Sequence, residues 1–381
     1  MLSYVHKWCK KWRMAVNNDK TQVVHFRRQQ SAQTNYQFTL GNDDLNTVSF
    51  YKYLGVIFDE YLNFDQNSVI LGSAAGRALG LIRTKLKNLK SSGYKTFNTM
   101  FQSGVLSIAD YAAGIWGTKV FPKTEQVQYK GARYFLGVHQ FASTNCLLGD
   151  MGWVTANARH KLLILKHWNR LCDMNESRIT RKIFSWDISY SHRKGTWSYC
   201  VKNILSDIGC EDLFQNMQPC DIDFAKNIIY ERDRMDWDIK RYKSEKLRYY
   251  NLYKFDKSIE DYLLLNISRY QRSIFAQFRS GILPLEIEVG RYRNAPLQDR
   301  ICQLCSTAVE DEIHFLCDCP AYSCKRQNLY DKARELEPSI DYMDSIDKFV
   351  FLMSNLQKPV IYYLIDAIQI RTNCLTRNIL N

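Results

Sequence analysis

The sequence predicts a mainly α-helical protein with a small N-terminal α+β piece, and three observations carry that expectation. Runs rich in β-branched and aromatic residues, bounded by turn residues, are confined to residues 21–58. From residue 66 onward the apolar residues recur at helical spacing. Proline is scarce, at 7 in 381 residues, and no Ser/Gly-rich linker stands out, so domain boundaries are soft.

Taken in order, residues 3–16 read as an amphipathic helix. Tyr4, Trp8, Trp12 and Val16 recur every fourth position, with Lys7, Lys10 and Lys11 on another face. Residues 21–26, 36–40 and 48–58 read as three strands, the second ending at the turn signal Gly41-Asn42-Asp43-Asp44. Residues 68–89 read as a helix in which Gly72, Ala74, Ala75 and Gly76 allow close packing. Further helices are expected at 96–117 and at 157–172, where Leu162, Leu165 and Trp168 fall three apart. Residues 174–224 give no firm pattern. Residues 225–257 hold ten Lys/Arg, six acids and seven aromatics. A solvated helix with tyrosines on its buried side is the simpler reading, and a phosphate-tracking face with stacking rings is the other. Residues 259–280 look helical, and the last 50 residues form one or two apolar helices interrupted at Pro359.

The composition narrows the function classes. A hydrophobic fraction of 46% and an aromatic fraction of 13% exclude a disordered chain. The balance of 52 Lys+Arg against 39 Asp+Glu favours polyanionic partners, nucleic acid first and acidic membrane surfaces second, with solubility charge as the bland alternative. The basic N-terminus has no apolar signal core, and no apolar run reaches transmembrane length. The 12 cysteines are therefore read as reduced and intracellular.

The most specific chemistry lies in residues 299–326. Cys302, Cys305, His314 and Cys319 follow the spacing C-x2-C-x8-H-x4-C, a set of soft and borderline ligands suited to tetrahedral Zn²⁺. Cys317 competes with Cys319 for the fourth place, and Cys324 lies nearby. Arg291, Arg293 and Arg300 before the first ligand, with Lys325 and Arg326 after the last, bracket the set with positive charge. Phosphate contact is the functional reading, and charge balance against Glu310, Asp311 and Glu312 is the structural one. Elsewhere, the remaining cysteines read as small buried apolar residues, and the remaining histidines are isolated. The glycines of 74–80 lack the strand and Lys-Ser/Thr end of a phosphate loop.

Two separated blocks resemble one family. KWRMAVNNDKTQVVHF (11–26) with FYKYLGVIFDEYLNF (50–64) is similar to the stretch after the catalytic loop in reverse transcriptases of non-LTR retrotransposons, the jockey-like LINE elements. FRSGILPLEIEVGRYRNAPLQDRICQLCSTAVEDEIHFLCDCPAYSCKR (278–326) resembles the C-terminal segment of the same proteins. The resemblance implies a palm remnant with a primer-grip hairpin at 1–64, a helical thumb at 65–180, a basic helical connector at 181–290, a CCHC zinc segment at 291–327 and C-terminal helices at 328–381. It selects Cys319 over Cys317, because Pro320 follows it as in the family pattern.

The resemblance also implies roles. Tyr53, Leu54 and Gly55 match the primer grip, which touches the primer's 3′ end; an ordinary β-turn is the alternative. Lys20 matches a lysine whose surviving role is phosphate contact; a plain surface lysine is the alternative. Template RNA and target-DNA primer are the implied partners, with no membrane, and the nucleus and cytoplasm are the implied locations. Structural zinc is the expected cofactor. The family's catalytic aspartates have no counterpart: Asp43-Asp44 follows no aromatic-x dipeptide and reads as a turn. No catalytic residue, no catalytic Mg²⁺ and no polymerase activity are expected from this chain alone, and the polymerase and endonuclease portions that precede these segments in the family are expected to be missing. A degenerate or domesticated protein acting through protein contacts, with a purely structural zinc segment, is the alternative.

Overall fold

The computed structural model describes residues 1–87 and 93–380. It is mainly helical, and its strands lie between residues 22 and 59. The N-terminal piece opens with α1 (Leu2–Lys11) and carries three two-stranded pairings. β1 (Gln22–Val23) runs parallel to β4 (Asn46–Thr47), and β2 (Thr39–Leu40) pairs antiparallel with β3 (Asp43–Asp44). β5 (Phe50–Tyr53) pairs antiparallel with β6 (Val56–Asp59), in the register Phe50↔Asp59 to Tyr53↔Val56.

The helices follow as α2 (Asp65–Lys87), α3 (Tyr94–Phe101), α4 (Ser107–Ala109), α5 (Ala113–Trp116), α6 (Pro122–Leu136), α7 (Thr144–Met151) and α8 (Ala156–Cys172). Next come α9 (Ile179–Ser189), α10 (Trp197–Asp207), α11 (Glu211–Gln215), α12 (Ile222–Tyr242) and α13 (Tyr250–Tyr253). The chain continues as α14 (Arg269–Arg279), α15 (Glu286–Tyr292), α16 (Ser323–Leu336), α17 (Ser345–Asn355) and α18 (Gln357–Leu380). Among the described residues, no helix is long and apolar enough to cross a membrane.

Local chemistry sets many of these boundaries. Pro122 opens α6, where its missing N–H costs nothing, and Gly137 in the left-handed region closes it. Thr155 caps α8 by accepting from the Ala158 N–H, and Ser268 with Gln271 forms a capping box on α14.

Several expectations need correction. The helix of residues 3–16 ends at Lys11, Arg13 takes a positive φ of 54°, and the stripe Tyr4, Trp8 and Trp12 faces solvent while Cys9 is buried. The strand at 48–58 is the β5–β6 hairpin, because Leu54 and Gly55 both take positive φ. Asp43 and Asp44 lie on β3, just past the turn at Gly41-Asn42. The helix at 96–117 breaks after Ala109, where the Asp110 carboxylate turns inward to accept from Arg159 at 2.7 Å and to pair with His160 at 3.0 Å. The helix of 68–89 starts at Asp65, and its residues 88 and 89 lie outside those described. Within 259–280 only Arg269–Arg279 is α-helical. Pro359 sits in the first turn of α18, where no intrahelical N–H partner is lost, so it interrupts nothing.

The main apolar core runs across the segments marked off on the sequence. It joins Ala75 to Trp153, Tyr262 to Ile287, and Cys302 to Ala367 in one cluster. A second core unites α8, α10 and α12 around Trp168, Val201 and Leu205. At the first core's edge the Arg279 guanidinium, wholly buried, donates to Asp150 at 3.0 and 2.9 Å and pairs with Glu260 at 2.9 Å. Tyr250 and Tyr262 donate to the same Asp150 carboxylate, both at 2.9 Å. A buried charge persists only when it is paired in this way.

Candidate metal centre and its surroundings

The loop of residues 301–309 is closed by a bridge between Ile301 and Val309, by the Cys302 N–H donating to Ala308 O at 2.8 Å, and by the Ser306 N–H donating to Cys302 O at 2.8 Å. That tight turn puts Cys302 and Cys305 side by side. The following turn, His314–Asp318, is π-helical, and the Cys319 N–H donates to His314 O at 2.8 Å across five positions. The wide turn explains the x4 spacing, since it stacks His314 and Cys319 on one side.

The ligand atoms of Cys302, Cys305, His314 and Cys319 all lie within 4.8 Å of one another, a group that could hold a metal ion. Cys302 Sγ and Cys319 Sγ are 3.9 Å apart, and Cys305 Sγ is 3.3 Å from His314 Nε2. A zinc tetrahedron with bonds of about 2.3 Å to sulfur and about 2.0–2.1 Å to nitrogen needs separations of roughly 3.8 and 3.5 Å. The residues therefore fit such an ion. Cys317 turns the other way, into the main core, and burial pushes its thiol up to about 12.

Cys302 and Cys305 favour thiolate, and Cys319 does not. The Cys319 thiol donates to Cys302 Sγ, and this bond, helped by His314 and by the N–H groups of Cys305 and Leu304, pulls Cys302 down to about 3. Cys319, which gives that proton, is raised.

The surrounding charges are committed to building the site. Arg326 is buried, and its guanidinium donates to Leu316 O at 2.8 Å and Cys319 O at 2.9 Å. Arg371 on α18 grips Glu310 with bonds of 2.8 and 2.7 Å, and Glu310 accepts from the Glu286 N–H at 2.8 Å. Asp311 accepts from the His314 N–H at 2.8 Å and from Tyr249 at 2.5 Å, while Glu312 pairs with Arg248 at 2.5 Å. Glu310 is thus balanced by Arg371 of α18 and Glu312 by Arg248, while Asp311 meets only uncharged donors; the flanking arginines pair elsewhere.

Arg291 pairs with Glu288 at 2.8 Å, Arg293 pairs with Glu286, and Arg300 donates to Ala295 O at 3.0 Å and Ile287 O at 2.9 Å. Lys325 pairs with Asp366 at 3.3 Å on the surface. Arg291, Arg293 and Lys325 remain open to solvent, whereas Arg326 is enclosed and cannot reach a phosphate without leaving both carbonyls.

The N-terminal site residues gather on another part of the molecule. Leu54 projects from the β5–β6 tip, 74% exposed with φ 46°, a conformation that costs a non-glycine residue about 1–2 kcal/mol. The Tyr111 hydroxyl holds the tip by donating to Leu54 O at 3.0 Å. Gly55 has φ 88°, and a Cβ there would meet Tyr111 at 3.1 Å. Tyr53 is exposed beside them. Exposed Lys20 lies in a short 3-10 turn, and its carbonyl accepts from the Tyr51 hydroxyl at 3.3 Å.

One feature went unnoticed in the sequence. At Gly72, α2 and α6 touch closely, and a Cβ would meet Lys123 at 3.2 Å. One and two turns further on, Gly76 and Gly80 face open space and the helices part. The opening is a groove of about 560 Å³ lined by Arg77, Arg83, Lys123 and Lys130. It continues past Gly80 and Arg83 to Lys87 and Arg269. No acidic side chain lines either part among the described residues. Tyr134 anchors the far end, with Arg83 and Arg269 stacked 5.0 and 4.7 Å from its ring centre. The signal was the four-residue spacing of Gly72, Gly76 and Gly80, although spacing alone does not distinguish packing from opening. No protein-family model, curated protein or solved structure matches this chain.

Proposed function

We propose that this chain grips nucleic acid by its phosphate backbone, as a relative of the C-terminal part of non-LTR retrotransposon reverse transcriptases, with zinc as a structural ion. The observation that carries the reading is the acid-free cationic groove between α2 and α6, on the helix that follows the Tyr53-Leu54-Gly55 hairpin. Six cations along one groove suit a polyanion, and glycines at its floor let a backbone approach closely. On this reading α2 and α6 belong to the thumb, the hairpin to the primer grip, and RNA with a DNA primer is the duplex held. Three thiolates and one imidazole would fill all four positions around zinc, leaving none for water or substrate, so the ion would shape the fold and carry no reaction step.

The test is a filter-binding titration on RNA and then on DNA at two salt concentrations. Binding should weaken steeply with salt, and the variant Arg83→Gln/Lys123→Gln/Lys130→Gln should lose affinity and flatten the slope by about 0.7–0.9 per phosphate contact removed. Absence of binding at low salt, or binding indifferent to salt, would refute it. A second reading, action through protein contacts, is favoured by the exposed apolar side chains Tyr4, Trp8, Trp12, Phe26, Tyr36 and Leu54 in the N-terminal piece.

A further inference from the structure

The loop that joins α6 to α7 carries His139 and Phe141, both exposed, and Tyr292 at the end of α15 stands beside them. The ring centres are 5.7 Å apart between His139 and Phe141 and 6.3 Å apart between Phe141 and Tyr292. Two segments far apart in sequence thus set three rings in a row at the surface, with Phe141 and Tyr292 each 56% exposed. Single exposed aromatics are ordinary, but a contiguous exposed row marks an interaction site.

The row is held in place and bordered by cations. The Phe141 N–H donates to His139 Nδ1 at 3.2 Å, and Lys246 Nζ donates to Phe141 O at 3.1 Å. Partial burial and the nearby Lys246 hold the imidazole below its ordinary range, so at neutral pH His139 is an uncharged ring. Neighbouring rings meet at 69° and 58°, edge on and tilted, which leaves ring faces uncovered. Lys246 and Arg291 share Glu288 at 3.0 and 2.8 Å, an excess of one positive charge, and the Arg291 guanidinium lies 5.3 Å from the Tyr292 ring centre. Arg293, paired with Glu286, stays open to solvent beside them. Rings for bases and cations for phosphates are the combination a single strand needs.

The row also lies close to where the cationic groove runs out. Tyr134, which anchors the groove's far end, sits in the last turn of α6. His139 follows five positions later, at most about 18 Å away even were the chain between them fully extended. We infer that His139, Phe141 and Tyr292 form a stacking platform for the unpaired bases of a nucleic-acid strand that runs on past the groove. This rests on the nucleic-acid reading and deepens it: the groove takes the phosphates of paired and unpaired strands alike, and the platform takes only bases free to leave a duplex. Every base has a π-face, so the platform accepts any sequence.

The test is a binding titration of the full chain with an unstructured oligouridylate, a blunt RNA duplex of equal length and an abasic strand of equal length. Phe141→Ala/Tyr292→Ala should weaken oligouridylate binding by about tenfold or more, through lost stacking, and should leave the duplex, the abasic strand and the salt slope unchanged. Arg83→Gln/Lys123→Gln/Lys130→Gln should instead weaken all three. Tyr292→Trp should keep the affinity, and its fluorescence should be quenched by the oligouridylate and not by the abasic strand. Both replaced rings are exposed, so the alanine variant should fold, with circular dichroism as the check. If it binds oligouridylate as tightly as the parent while the groove variant loses affinity, the inference fails, the groove reading stands and the rings serve another partner, such as a protein. An equal loss on the abasic strand would also overturn it, since no base is there to stack. If the parent binds no strand at low salt, both readings fall.

Discussion

The first 64 residues and the region around the metal-ligand set handle their apolar side chains in opposite ways. In the N-terminal piece Tyr4, Trp8, Trp12, Phe26, Tyr36, Phe50, Tyr53 and Leu54 are exposed, while Cys9, Leu40, Leu45, Val56 and Ile57 are buried. Around the ligand set Ile313, Phe315, Leu316, Cys317, Tyr322 and Leu329 are buried, joined in the same core by Phe349, Leu352 and Leu364 from α17 and α18. The difference is one of partners. The short paired strands of the N-terminal piece bury little against each other, whereas the ligand loop is wedged between helices from both directions along the chain. An isolated two-stranded pairing is marginal without a layer to cover it.

The sharpest way to break the contrast is to attack the ligand set. Replacing Cys319 with Ser, or treating the protein with a chelator, should cost several kcal/mol or abolish cooperative melting, because metal binding and folding are coupled in such sites. Calorimetry with a parallel metal assay tests this, and an unchanged melting curve would mean that the four residues hold no ion. Next in size is Asp150→Ala, which leaves the buried Arg279 guanidinium with Glu260 alone and takes the acceptor from the Tyr250 and Tyr262 hydroxyls, and it should cost about 3–5 kcal/mol in urea unfolding. A smaller pair separates packed from open glycines. Gly131→Ala should destabilise by about 1–3 kcal/mol, since a Cβ there runs into the Phe101 ring. Gly76→Ala should be stabilising by about 0.5–1 kcal/mol, since nothing lies within 4 Å of its Cβ position. Smallest of all, Trp8→Ser with Trp12→Ser should shift stability by no more than about 0.5 kcal/mol in urea unfolding. A large loss of stability would show that the aromatic stripe is packed in solution.

The same contrast explains what could be read from the sequence. Helical periodicity located α2 and α8 because their apolar faces meet a core, as at Leu162, Leu165 and Trp168. The periodicity of α1 marked a helix but not the fate of its face, since amphipathic spacing states which side is apolar and nothing about what covers it. The cluster of Cys302, Cys305, His314 and Cys319 was legible because the tight turn and the π turn impose short-range spacing. The roles of Arg326 and Arg371 were not, because Arg326 donates to main-chain carbonyls and the partner of Arg371 lies 61 positions away. Leu54 and Gly55 read as part of the strand run 48–58, and the bend they make inside it depends on two positive φ values that a β-rich composition conceals. Residues 174–224 gave no pattern, yet they hold α9, α10 and α11, short helices whose stability comes from packing on α8 rather than from repeat or propensity.

The grip of Arg371 on Glu310 has a kinetic side. Glu310 lies inside the loop that separates the two ligand pairs, and Arg371 lies near the end of the last helix. Opening the loop would remove one anchor of the later turns of α18, beyond the stretch held in the core by Val360, Ile361, Leu364 and Ala367, and fraying of those turns would loosen the loop. The turns of α18 around Arg371 and the loop should open together, so amide exchange in those turns should quicken when Glu310 is replaced by Gln.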